Sequence, residues 1–151
     1  FNVLIQKMSP VEGSEQAVGF YVFGLVTDTA WAQIYGGISY SPRKWIAFNA
    51  GVGTERHDKP WRTAGGIFVN GLGNNAFFVF EKGGSGFWYR TQYTRPLNPQ
   101  VTVGIFSRRF SPPGPYLEVK VAKKYPLWTA VGPDLETGHM TNVIGLNIAL
   151  P

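Results

Sequence analysis

The chain has 151 residues, of which 15% are charged and 15% aromatic, with 19 glycines, no cysteine and a net charge of +5. That length fits one domain able to bury a sizeable core, and the aromatic content excludes a disordered chain. The lack of cysteine excludes a disulfide frame, a thiolate metal site and a cysteine nucleophile. No run of about 18 apolar residues offers a transmembrane helix, a test that β-barrels escape because only alternate residues face lipid.

In chain order, Phe1 to Met8 reads as a short strand and Ser9 to Gln16 as a polar loop or one helical turn. Together they are expected to form an extension over 1–16 ahead of a barrel over 17–151. A first residue that is not Met points to a processed N-terminus. Further strands are predicted at 17–27, 30–41, 44–54, 61–72, 75–82, 86–95, 100–110, 115–124, 127–133 and 140–150. Turn signals separate them, among them Thr27-Asp28-Thr29, Ser41-Pro42-Arg43, Gly73-Asn74-Asn75, Gly83-Gly84-Ser85-Gly86 and Tyr125-Pro126. Links this short join antiparallel neighbours, since a parallel crossover needs a dozen or more residues. The expected fold is all-β, an antiparallel up-and-down β-barrel of about eight to ten strands with short turns.

Strand side chains alternate between two faces. Ile46, Phe48, Ala50 and Val52 oppose Ala47, Asn49, Gly51 and Gly53; Val101, Val103 and Ile105 oppose Gln100, Thr102 and Gly104. Leu117, Val119 and Val121 oppose Glu118, Lys120 and Ala122, and Ile144, Leu146 and Ile148 oppose Gly145, Asn147 and Ala149. One face is aliphatic and the other small or polar. Alternation alone does not say which is inside, because a soluble barrel turns the aliphatic face inward and a membrane barrel turns it outward. Composition decides. The stretches Thr29 to Pro42, Thr63 to Phe80, Pro96 to Ser107 and Thr137 to Pro151 lack Lys, Arg, Asp and Glu, while charges crowd into turns such as Glu55-Arg56-His57-Asp58-Lys59 and Glu81-Lys82. A water-facing sheet would be dense in Lys and Glu. The expected arrangement therefore places Ile46, Phe48, Val103, Val119, Val121 and Leu146 toward lipid. Asn49, Arg90, Gln92, Glu118, Lys120 and Asn147 then form a hydrogen-bonded network in the lumen, with Arg90 and Glu118 sharing it directly. Trp31, Trp45, Trp61, Trp88 and Trp128, together with Phe110, fall near predicted strand ends, where interfacial aromatics belong.

This pattern of strands about 9–11 residues long, alternating faces and aromatic strand ends resembles the small bacterial outer-membrane β-barrels, over about residues 17 to 150. The resemblance is one of pattern, without a family motif. The final Ile148-Ala149-Leu150-Pro151 departs from the terminal aromatic common in that class, and no loop exceeds a handful of residues. The resemblance implies a bacterial outer-membrane location, the alternative being a secreted or periplasmic protein.

Residues for chemistry are few. His57 lies beside Glu55 and Asp58, and His139 near Asp134 and Glu136, but no spacing ties either to a nucleophile such as Ser107 or Ser111. Glu55, His57 and Asp58 lack a metal-ligand spacing, and neither Gly-rich turn opens a helix to cradle phosphate. The chain is thus expected to be non-enzymatic, without metal or cofactor. Basic residues pair only at Arg108-Arg109 and Lys123-Lys124 within strands, so the excess positive charge suits anionic lipid headgroups better than nucleic acid. The expected function is a structural, anchoring or envelope-assembly role for an integral outer-membrane barrel, its partners being the bilayer and an envelope protein or a second copy. A passive pore would require more than about ten strands. Two alternatives are a soluble barrel binding an apolar ligand and a β-rich subunit of a homo-oligomer.

Overall fold

The computed structural model describes residues 1–27, 31–109, 111–121, 125–135 and 137–149. Asp28, Thr29, Phe110, Ala122, Lys123, Lys124, Glu136, Leu150 and Pro151, named above, lie outside the described residues. The strands are β1 (Asn2–Pro10), β2 (Ala17–Val26), β3 (Ala32–Arg43), β4 (Ile46–Glu55), β5 (Trp61–Gly71), β6 (Asn74–Gly83), β7 (Gly86–Pro96), β8 (Val101–Arg108), β9 (Ser111–Val121), β10 (Tyr125–Pro133) and β11 (Met140–Ala149). They form one closed barrel in which sequential strands pair antiparallel.

The barrel has eleven strands where eight to ten were expected, and the difference lies at the N-terminus. β1 is not an extension. It pairs antiparallel with β2 from Asn2–Leu25 to Pro10–Ala17 and closes the barrel by pairing in parallel with β11, from Asn2–Gly145 to Gln6–Ala149. Parallel closure follows from counting: strands that alternate in direction return to the starting direction at every odd number. Short connections enforce the alternation. Between β5 and β6 only Leu72 and Gly73 intervene, with φ of 52° and 74°, the left-handed pair that a two-residue type I′ hairpin requires. The turn thus falls one residue before the Gly73-Asn74-Asn75 of the sequence reading. Pro42, which has no N–H to give a ladder, lies where the β3–β4 register shifts between Tyr40 and Arg43.

Register carries alternation around the barrel in rows. One inner row runs Tyr21–Gly37–Gly51–Ala64–Glu81 across β2 to β6, and the next runs Phe23–Tyr35–Gly53–Arg62–Gly83. The small residues on β3 to β5 leave space into which the large ones lean. A Cβ at Gly51 would stand 2.5 Å from Tyr21 Oη and 2.7 Å from the Gly36 carbonyl oxygen. Gly51→Val is therefore expected to displace Tyr21 and cost about 1–3 kcal/mol by overpacking, read from the midpoint of chemical unfolding; an unchanged midpoint would disprove this packing.

Two aromatic clusters occupy different sides of the interior. Tyr21, Phe23 and Tyr35 pack with Ala64, and Phe106, Tyr116 and Trp128 pack with Ala130. Trp128 is 3% exposed and its ring centroid lies 5.6 Å from that of Phe106 and 5.4 Å from that of Tyr116. Its assignment as an interfacial aromatic is corrected. Trp128 pairs with Gly145, the missing side chain of which makes room for the indole inside the wall.

The outer face has the opposite character. Val18, Phe20, Val22, Ile34, Ile38, Val52, Phe78, Phe80, Ile105 and Ile144 are exposed there. Among the described strand residues, the charged side chains on that face, Lys7, Arg43, Lys82 and Arg95, stand within three residues of a strand end.

Candidate functional site

The interior is polar at both ends and aromatic between. The end formed by the start of β5 and the ends of β4 and β6 holds an ion cluster. Arg62 enters from β5, Glu55 from β4 and Glu81 from β6, and all three side chains are at most 1% exposed. Arg62 Nε donates to Glu55 Oε2 at 2.6 Å, Nη2 adds a second bond to the same oxygen, and Nη1 donates to Glu81 Oε2 at 2.6 Å. Two carboxylates need more than one guanidinium can give. Gln33 Nε2 and Tyr35 Oη supply Glu81 at 3.0 and 2.9 Å, while the Ser85 backbone N–H and hydroxyl supply Glu55 at 2.8 and 2.9 Å. Trp31 closes over the cluster, with its ring centroid 5.9 Å from the guanidinium carbon of Arg62 and its Nε1 donating to Gln33 at 3.4 Å. Nearby strand ends bring Arg108 to 3.7 Å from Asp134.

The other end opens as a vestibule of about 400 Å³. Arg90, Gln92, Glu118, Lys120 and Asn147 all line it. Glu118 Oε2 accepts from Tyr116 Oη at 2.8 Å and from Asn147 Nδ2 at 3.5 Å. Asn49 is buried elsewhere, beside Arg90, Tyr21 and Tyr35, and its Oδ1 has no partner among the described residues.

The expected direct link between Arg90 and Glu118 is corrected: no hydrogen bond or ion pair joins them among the described residues. Register is the reason. Glu118 pairs with Thr102, which pairs with Pro96, so Arg90 stands six residues along β7 from the position registered with Glu118. Tyr116, two residues before Glu118, takes up its carboxylate instead.

Ile46, Phe48, Val103, Val119, Val121 and Leu146 all carry the parity of the outer face, with Phe48, Val119 and Val121 exposed at 41%, 39% and 52%. Trp45 and Trp61 are exposed at opposite ends of the barrel, whereas Trp88 shares the inner parity of Arg90 and Trp31 covers the ion cluster. Placing Trp31 and Trp88 in an outer girdle is therefore corrected along with Trp128. Proximity to a strand end does not fix the face. His57 accepts at Nδ1 from the Lys59 backbone N–H in an exposed loop, His139 is exposed, and Ser107 is buried in the wall. Among the described residues no group of three His, Cys, Asp or Glu could hold a metal ion.

The fold and interior define a class, a closed β-barrel with a polar, ion-paired lumen and an apolar outer face. Compared with known proteins, the chain matches no family model, no curated protein and no solved structure.

Proposed function

We propose that the protein is a non-enzymatic integral outer-membrane barrel with a structural, anchoring or envelope-assembly role. The observation that carries this reading is the inversion of polarity: Ile38 is 69% exposed in the middle of β3, while Glu81 is 0% exposed inside. In water that arrangement exposes apolar surface and desolvates charge together; in a bilayer it satisfies both sides of the wall. Strand-end Lys and Arg on the outer face can reach headgroups with their charged tips, and Trp45 and Trp61 fit the two interfaces. Eleven strands pass the count at which a passive pore becomes conceivable, but the Arg62 cluster and the two aromatic clusters fill much of the lumen, which favours the structural role. The soluble carrier loses support because the aliphatic face it would wrap around a ligand is on the outside.

Single cysteines test the reading cleanly, since the chain has none of its own. With the protein in phospholipid vesicles, cysteines at Phe48, Val119 and Val121 are expected to resist a water-soluble thiol reagent and to react with a lipid-soluble one. Rapid labelling of all three by the water-soluble reagent would remove the membrane assignment.

A further inference from the structure

Arg90 is 7% exposed, and its Nε has no hydrogen-bond partner among the described residues. Its guanidinium carbon lies 5.1 Å from the centroid of the Phe23 ring and 4.9 Å from that of Phe77. The rings hold the cation but accept no hydrogen bond in the guanidinium plane, where the donors point. None of the ion pairs among the described residues includes it. A buried guanidinium left this way is costly, and among the described residues the other buried charges, Glu55, Arg62 and Glu81, are met by opposite charge and by hydrogen-bond donors.

Arg90 lines two spaces, a small one shared with Asn49 and the vestibule, and of the two the vestibule has room for a ligand. Arg90 lies at its inner end, six residues inward of Pro96 at the rim, and Lys120 stands nearer the mouth. Glu118 is the carboxylate of the wall, and Tyr116 and Asn147 already engage it. Two cations against one occupied carboxylate leave the space electropositive. Asn75, Gln92 and Thr94 add amide and hydroxyl groups along the path from mouth to floor. A volume of about 400 Å³ is that of a small-molecule site.

We propose that this vestibule binds a small hydroxylated organic anion, its carboxylate or phosphate bridging the open donors of Arg90 and its hydroxyls meeting the amide-lined wall. A planar fork of donors suits either oxyanion, because both present two oxygens at matching spacing. Lys120 raises the local concentration of the anion at the mouth. The site does not depend on what the outer face meets.

Glucuronate and glucose 6-phosphate are the probes, with glucose as the neutral control. Titration calorimetry on the folded chain is expected to show saturable binding of at least one anion and none of glucose. Arg90→Gln should weaken that binding about tenfold or more, corresponding to a lost charge-assisted contact. Arg90→Lys should retain part of it. Should either variant fail to fold, Asn75→Cys provides an independent arm: the bound anion should slow its labelling by a thiol reagent, and glucose should not. Preference between the two probes separates a carboxylate ligand from a phosphate ester. Binding of neither anion, equal binding of glucose, or undiminished binding by folded Arg90→Gln would each overturn the assignment.

Discussion

Replacing Arg62 by Met is expected to destabilise the barrel by about 3–5 kcal/mol, the largest single-residue effect foreseen for this chain. The variant leaves Glu55 and Glu81 buried with their guanidinium gone. Gln33, Tyr35 and Ser85 still donate to them, yet no positive charge remains in their hydrogen-bonded cluster. A loss of that size consumes a large part of the ordinary stability of a domain, about 5–15 kcal/mol. The combined variant Glu55→Gln, Arg62→Met, Glu81→Gln should recover much of it, because removing all the charges relieves the desolvation that each single change exposes. Chemical unfolding followed by tryptophan fluorescence reads both, with Trp31 over the cluster as a local reporter. Equal, additive losses in the single and combined variants would mean that the three residues do not act as a unit.

That cluster also marks where the sequence was least readable. Glu81 follows Phe77-Phe78-Val79-Phe80, a run that is apolar on both faces, so alternation gives its side chain no direction. Glu55 begins a string of charged residues and is naturally taken for part of their loop, although its neighbours do go to solvent. Arg62 did carry a signal, since it shares its parity with the small residues Ala64 and Gly66, whereas Arg90 shares its parity with the polar Gln92 and Thr94. Strand positions and the two faces could be read because turn chemistry and period-two alternation are local. Which inner residues meet could not, because register and strand tilt are set by the closed sheet as a whole. Arg90 and Glu118 share a face and line one vestibule, yet the offset of β7 against β9 keeps them from bonding. Trp128 shows the same limit. Its indole turns inward because Gly145 leaves space on a strand 17 residues further along the chain.

Ile38→Arg, measured in phospholipid vesicles, is expected to cost about 2–4 kcal/mol if the outer face meets lipid, as charged substitutions near a bilayer midplane do. Ile38 lies in the middle of β3 with Phe20 and Ala50 as its cross-strand neighbours, so no opposite charge is placed to receive the guanidinium. Its 69% exposure means that the substitution opens no cavity and crowds no core, which leaves the surrounding medium as the main determinant of the outcome. In water such a change usually falls within about 0.5 kcal/mol. A matched substitution at Trp61, which is 78% exposed at the end of β5, should cost about 0–1 kcal/mol because a terminal arginine can reach the interface. A steep difference between the two positions supports a bilayer around the barrel, whereas small effects at both would place the outer face in water and return the chain to the soluble class.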